Sequence, residues 1–190
     1  MFTFAYLPRR PRAARHPDQQ GDAATTHGGT LFYSHHTAYN MNVGDMAPDL
    51  LGLDEAGHEV RLSQYRGRKV ILYFYPKDST SGCTAEACSF RDHHETLQQA
   101  GYEVIGVSID SEKSHQNFIA KQQLPFHLIA DTEKQLVETF GVWGEKKMYG
   151  RTYMGTLRTT FVIDEKGRIE KVFGPKEIKT KIHAEQILQL

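Results

Sequence analysis

Cysteine is scarce in this sequence, with two in 190 residues. That excludes a secreted scaffold stapled by disulfides, which is dense in cysteine. An excess of one charge is missing as well. Lysine plus arginine number 23 and aspartate plus glutamate 23, so the clustered positive surplus that phosphate neutralisation needs is absent and nucleic acid is not the expected partner. No run of about 18 consecutive apolar residues occurs, so no segment is expected to span a membrane as a helix. Internal repeats and low-complexity tracts are also lacking. With 39% apolar residues over this length, the chain suits one self-sufficient core with room for a tail.

The tail is legible in the first forty residues. They hold four arginines and two aspartates but no lysine or glutamate, and Pro8, Pro11 and Pro17 fall close together. No helical or strand period persists there, so residues 1–40 are expected to be a disordered extension, too polar to offset ordering entropy. An arginine-rich, acid-free start also suits an organelle transit peptide, but the prolines break any amphipathic helix. A secretory signal fits worse, because the apolar stretch is short and its arginines follow it. A non-native start ahead of the domain at 41–190 is the preferred reading, with targeting as the alternative.

From Met41 the pattern is that of an α/β protein. Residues 49–53 and 59–62 read as an N-terminal β-hairpin turning through Asp54 to Gly57. KVILYFYP, Lys69 to Pro76, is an apolar β-branched and aromatic run, expected as a strand buried on both faces. A polar loop follows, then a helix from about Cys83 to Gln99 stopped by Gly101. YEVIGVSID and FHLIAD read as further strands, EKSHQNFIAKQQ and TEKQLVETF as helices. TTFVID and RIEKVFG flank the turn at Glu165-Lys166-Gly167 as a hairpin, and a last helix is expected over 179–190. Strands alternating with helices and closing on a hairpin predict a mixed central sheet with helices on both faces.

The two cysteines, Cys83 and Cys88, stand five residues apart. Most lone cysteines are small buried apolar side chains. Cys83, however, follows a glycine at a polar junction between strand and helix, with Ser81 as candidate N-cap and Glu86 expected in the first turn. Unpaired amides and the positive end of the helix dipole there favour thiolate over thiol. On a helix, five residues advance about 140° around the axis and rise about 7.5 Å, placing the two Cα atoms roughly 8–9 Å apart. A disulfide needs less than about 7 Å, so the pair can bond only if the helix unwinds. Cys88 is equally readable as part of the helix's buried face. C-x-x-C is absent, which argues against a thioredoxin-type dithiol. Cys83, Cys88, His93 and His94 scatter around the helix rather than converging on a metal, so no metal site is expected.

The stretch YFYPKDSTSGCTAEACSFRD, Tyr73 to Asp92, resembles the peroxiredoxins of the bacterioferritin-comigratory or peroxiredoxin Q type. The similarity extends over nearly all of 41–190 through VGDMAPDL, GVWGEKKMYGRTYMG, RTTFVID and IHAEQIL. Pro76, Thr80 and Cys83 match the family's P-x-x-x-T-x-x-C pattern, and Arg158 matches its distant arginine. The resemblance implies a thioredoxin-like fold, a largely monomeric cytoplasmic chain, and no metal, haem or other cofactor. It implies a thiol peroxidase acting on hydrogen peroxide and organic hydroperoxides, with Cys83 as peroxidatic and Cys88 as resolving cysteine, recycled by thioredoxin. A peroxide-sensing switch or binding module built on the same pair is the alternative.

The chemistry explains why such residues would be wanted. Attack on a peroxide oxygen places negative charge on the departing oxygen. Arg158, charged at any working pH, can stabilise both the thiolate and that oxygen. Thr80 offers a hydroxyl that donates and accepts, the amides of Gly82 and Cys83 complete a polar cradle, and Pro76 walls it without an N–H. Glu86 is expected to orient Arg158. Members of the family commonly carry proline where this chain has Ser81, a loss of preorganisation of about 1 kcal/mol or less. Trp143, Met148 and Tyr149 are expected on a loop, with ordinary core packing the preferred role and a border of the pocket the alternative, and the assignment requires a sulfur open to solvent with a guanidinium nearby.

Overall fold

The computed structural model describes residues 40–148 and 150–190. Residues 1–39 of the extension expected over residues 1–40, and the placement of Tyr149, lie outside the described residues. In chain order the elements are β1 (Leu50–Leu53), β2 (Glu59–Arg61), β3 (Lys69–Phe74), α1 (Ser81–Asp92), α2 (His94–Gln99), β4 (Tyr102–Ser108) and α3 (Glu112–Gln122). After these come β5 (His127–Ala130), α4 (Gln135–Thr139), β6 (Trp143–Met148), β7 (Arg151–Thr156), β8 (Thr159–Ile163), β9 (Ile169–Phe173) and α5 (His183–Leu188). The main sheet has five strands in the order β5-β4-β3-β8-β9. Strands β3, β4 and β5 run parallel, whereas β8 is antiparallel to β3 and β9 to β8. This is the mixed sheet expected.

Alternation along β3 explains its uninterrupted apolar run. Val70, Leu72 and Phe74 face one core, with Leu51 and Val60 of the hairpin and Leu136, Val137 and Phe140 from and beside α4. Ile71, Tyr73 and the following Tyr75 face the other, with Cys83, Ala87 and Phe90 of α1, Leu97 of α2, Phe118 of α3 and Ile187 of α5. A strand covered on both faces cannot show the polar-apolar period of a half-exposed one. On α1 the buried Cys83, Ala87 and Phe90 recur at i, i+4 and i+7, a single helical stripe.

Three local expectations are corrected. The helix foreseen over 83–99 is two helices, because His93 (φ −109°, ψ 12°) leaves the helical region between α1 and α2. The expected final helix begins as a 3-10 turn at Thr180–Ile182 before α5. The segment carrying Trp143 and Met148 is not a loop but a two-stranded ribbon, β6 paired antiparallel with β7. Residues 151–154 of β7 are exposed, so neither face carries the apolar stripe that reveals a strand in sequence.

Candidate active site around Cys83

Sheet topology brings the distant arginine home. In the register of β3 with β8, Phe74 stands opposite Thr159. Because those strands run antiparallel, the residue entering β8 lies beside the chain leaving β3. Arg158 and the loop 75–80 are therefore neighbours despite some 80 residues of intervening chain.

Thr80, not Ser81, is the N-cap of α1, and its side chain makes no cap bond. Its hydroxyl donates instead to the carbonyl of Lys77 at 3.1 Å. Ser81 takes the first helical position, where a proline would also be accommodated. The first bond of the helix runs from Thr84 N to Thr80 O at 2.8 Å, so the amides of Ser81, Gly82 and Cys83 precede the ladder, as the positive end of a helix requires. Glu86 is not in the first turn; it lies in the second, fully buried.

Arg158 joins these parts. Its Nη2 donates to Cys83 Sγ at 3.2 Å, and its Nη1 donates to Glu86 Oε2. Gly82 lies against the same guanidinium, since a Cβ there would stand 3.4 Å from Nη2. Burial works against the arginine's charge, but Glu86 and Cys83 outweigh it and hold the guanidinium above its ordinary value. Pro76 is half-buried and Thr80 exposed. Cys83 itself is only 2% exposed, more enclosed than the open sulfur expected, although Thr80 and Ser81 next to it in the chain are exposed.

Cys88 occupies another face. It is half-buried, and its Sγ approaches Gln122 Oε1 of α3 at 3.7 Å. Both cysteines are free, and both belong to the unbroken helix α1. The alternative that Cys88 belongs to the buried stripe is thus set aside, for the stripe belongs to Cys83. His93 and His94 do not join the cysteines. His93 Nδ1 meets Ser89 O at 3.0 Å, and the His94 ring packs 6.1 Å from that of Phe126. Among the described residues, the potential metal ligands whose donor atoms gather within 4.8 Å of one another are Asp54, Glu55 and His127, remote in sequence from the cysteines.

Glu86 was expected beside Arg158, but its depth of burial and the other groups around the thiol were not. Burial pushes the Glu86 carboxyl up to about 7, with Arg158 pulling the other way. Its Oε1 is buried without a hydrogen-bond partner, 4.0 Å from His183 Nε2. Burial also pushes His183 down to about 4, and its Nε2 contacts Thr160 Oγ1 at 2.9 Å. The Tyr73 ring packs at a tilt against Phe90 with ring centroids 4.8 Å apart, and its buried hydroxyl has no partner. Gly106 makes room for that ring, as a Cβ there would come within 2.8 Å of Tyr73 Cζ. Lys146 of β6 donates to Thr156 O at 3.0 Å. Burial, with Arg158 adding to it, holds its ammonium below the ordinary lysine value, while Cys83 opposes. Lys146 thus adds a second cation to the field around Cys83. None of these pairings has a fixed sequence spacing by which it could have been found.

Glu86 gives a pH prediction with a definite sign. An acid whose value is raised by folding binds its proton more tightly in the folded state, so its stabilising contribution is complete below its unfolded value and is lost as pH rises through the folded one. For Glu86 that window runs from about 4.5 to about 7. Thermal denaturation across it is expected to show wild type losing stability relative to Glu86→Gln as pH rises. A difference in Tm between the two that stays constant with pH would contradict this.

Comparison with known proteins places these features in a wider group. The AhpC/TSA family pattern matches residues 43–172. Peroxiredoxin Bcp of Bacillus subtilis (strain 168) is 46% identical over 149 residues, spanning 78% of this chain and 94% of that protein. Among solved structures, Xanthomonas campestris peroxiredoxin Q superposes with a TM-score of 0.70 at 36% identity, covering 78% of this chain and 93% of the other. A structure concerned with the alkyl peroxide reduction activity of the Xanthomonas campestris bacterioferritin comigratory protein matches at TM-score 0.67 and 34% identity, over 76% of this chain and 96% of that one. The thioredoxin-like architecture expected from the sequence is the architecture found.

Proposed function

The chain belongs to the AhpC/TSA family, among its peroxiredoxins, and from that premise we propose that Cys83 is the sulfur through which it reduces hydroperoxides. It is a thiol peroxidase, and the observation that carries the assignment of Cys83 is the guanidinium bridge: one nitrogen of Arg158 at 3.2 Å from Sγ, the other held by Glu86. A permanent cation fixed by a buried carboxylate stands against the sulfur, where it can meet negative charge during the reaction, and cannot drift away between turnovers.

In the proposed reaction the Cys83 thiolate attacks the terminal oxygen of ROOH, an S–O bond forms and the O–O bond breaks. Sulfur is oxidised by two electrons, and the leaving alkoxide departs as ROH after taking up a proton. Arg158 meets the charge growing on the departing oxygen, while the amides of Gly82 and Cys83 orient the peroxide. Pro76 walls the site, and the Thr80 hydroxyl, now donating to Lys77, turns to the substrate with a lone pair already free.

Cys83 is left as a sulfenic acid. Resolution follows when α1 unwinds and the Cys88 thiolate attacks the Cys83 sulfur, forming the disulfide and expelling hydroxide, which takes up the proton the Cys88 thiol gave up and leaves as water. A dithiol protein of the thioredoxin kind then restores both thiols by exchange. We assign this cycle to the body beginning at Met41, acting as a monomer in the cytoplasm. No cofactor enters the scheme.

Rapid mixing of the reduced protein with hydrogen peroxide, followed by intact-mass measurement, tests it. Wild type should lose two hydrogens as the Cys83–Cys88 bridge forms. Cys88→Ser should oxidise Cys83 within about two-fold of the wild-type rate, gain one oxygen, and fail to recycle with thioredoxin. Sustained wild-type recycling by Cys88→Ser would refute intramolecular resolution.

A further inference from the structure

The loop that delivers Cys83 is held by a second polar cluster, built from residues other than those of the Arg158 bridge. Ser79, in the turn before α1, has a φ of +59°, a conformation that residues other than glycine seldom adopt. Its neighbour Asp78 is buried and saturated with hydrogen bonds. Tyr75 Oη donates to Asp78 Oδ1 at 2.7 Å and Ser114 Oγ to Oδ2 at 2.7 Å, while His115 Nδ1 lies 2.9 Å from the same Oδ2. The Asp78 amide donates to Asp110 Oδ2 at 2.8 Å, and Ser108 Oγ donates to that same oxygen at 2.8 Å. One side chain thus ties the loop to α3, while its amide ties it to the end of β4.

His115 is wholly buried, and its other nitrogen, Nε2, lies 3.1 Å from the carbonyl of Ile129 in β5. A carbonyl accepts and does not donate, and so does a carboxylate. Each ring nitrogen thus faces an acceptor oxygen, Nδ1 the Asp78 carboxylate and Nε2 the Ile129 carbonyl, and both contacts are made together only by a ring that donates from both sides. The other titratable groups nearby are Tyr75, whose Oη stands 3.5 Å from Nδ1, and Asp110, which faces the Asp78 amide. A buried polar pair of this kind persists where nearly every donor and acceptor is used, as here. Burial opposes the Asp78 charge, yet His115, Ser114 and Tyr75 hold its carboxyl below the usual aspartate value.

We infer that Asp78 and His115 form a charged clamp that positions the Cys83 end of α1 for attack on peroxide. The inference rests on the peroxidase reading above. Neither residue touches the sulfur, so both are positioning residues. Asp78 sits five residues before Cys83, and between them lie only the strained Ser79, the cap Thr80 and the first helical turn. A displacement of the loop is thus passed directly to the thiolate and to the amides beside it. Arg158 fixes the sulfur from β8, and the clamp fixes its backbone from α3, β4 and β5.

The test uses the full chain and three variants: Asp78→Asn, His115→Gln and the milder Ser114→Ala. In wild type, nitrogen-15 NMR at neutral pH should show both His115 ring nitrogens protonated. Asp78→Asn and His115→Gln should oxidise Cys83 about ten- to a hundred-fold more slowly, with the pH midpoint of the oxidation rate displaced upward. Ser114→Ala should slow it a few-fold in the same sense. A neutral His115 tautomer in wild type overturns the clamp. So do folded variants, Ser114→Ala among them, that lose only thermal stability while rate and pH midpoint hold. Failure of wild-type Cys83 to react with peroxide would instead overturn the peroxidase reading, and the NMR signature would still decide the state of the pair.

Discussion

Replacing Cys83 by serine should abolish peroxide reduction, leaving no turnover above the uncatalysed rate of peroxide with the reductant. The exchange removes one atom's chemistry and little else. Serine is close in size, the residue stays packed against Ala87 and Phe90, and Arg158 can still donate to an oxygen. A serine hydroxyl, however, is not ionised near neutrality, its neighbour Arg158 donates rather than takes a proton, and oxygen attacks a peroxide bond poorly. Following peroxide consumption with excess thioredoxin and its reductase checks this. Residual activity above about one per cent of wild type would move the nucleophile to Cys88. Unfolding curves for Cys83→Ser should stay cooperative, which separates loss of chemistry from loss of fold.

Arg158→Ala comes next in size. The guanidinium makes a bond to the sulfur and a bond to Glu86, and in the proposed reaction it also meets the charge on the departing oxygen. Removing a preorganised donor of this kind costs about 10²–10³-fold in rate, or roughly 3–4 kcal/mol of transition-state stabilisation. The ionised fraction of Cys83 should fall as well, visible as lost thiolate absorbance in the ultraviolet. Arg158→Lys keeps the charge but not the fork, and one ammonium cannot hold Glu86 and the sulfur together in the same geometry. It should recover only part of the loss. Oxidation by Arg158→Ala within three-fold of wild type would remove the arginine from the chemistry. Glu86, left in the interior without its cation, should take up a proton rather than stay charged.

Much of the fold was legible because the relevant signals are local. The run from Lys69 to Phe74 announces a doubly covered strand, and the Glu165-Lys166-Gly167 turn announces its hairpin. The β6–β7 ribbon was invisible for the opposite reason. Its strands leave no apolar stripe, so WGEKKM and RTYMGT read as loop. The break at His93 was also hidden, since neither glycine nor proline marks it. In the site, Cys83 was legible from its position after Gly82, and Thr80, Pro76 and Arg158 from resemblance. Reading Glu86 as a partner of Arg158 agreed with the geometry, although its depth of burial did not show in the sequence. Asp78 and His115 stand 37 residues apart, and only the packing of α3 against the loop joins them. Such a pair has no spacing to betray it.

That same break at His93 sets how far any rearrangement must travel. Cys83 and Cys88 share α1, and α1 stops at Asp92, about three turns after it starts. The next helix begins afresh at His94 and keeps Leu97 sealed in the core. Melting that starts at the first sulfur therefore meets a seam before it reaches the following segment. In the proposed cycle the β4 crossover would stay docked while the two thiols meet, so that each turnover would disturb one short helix and leave the rest of the scaffold standing.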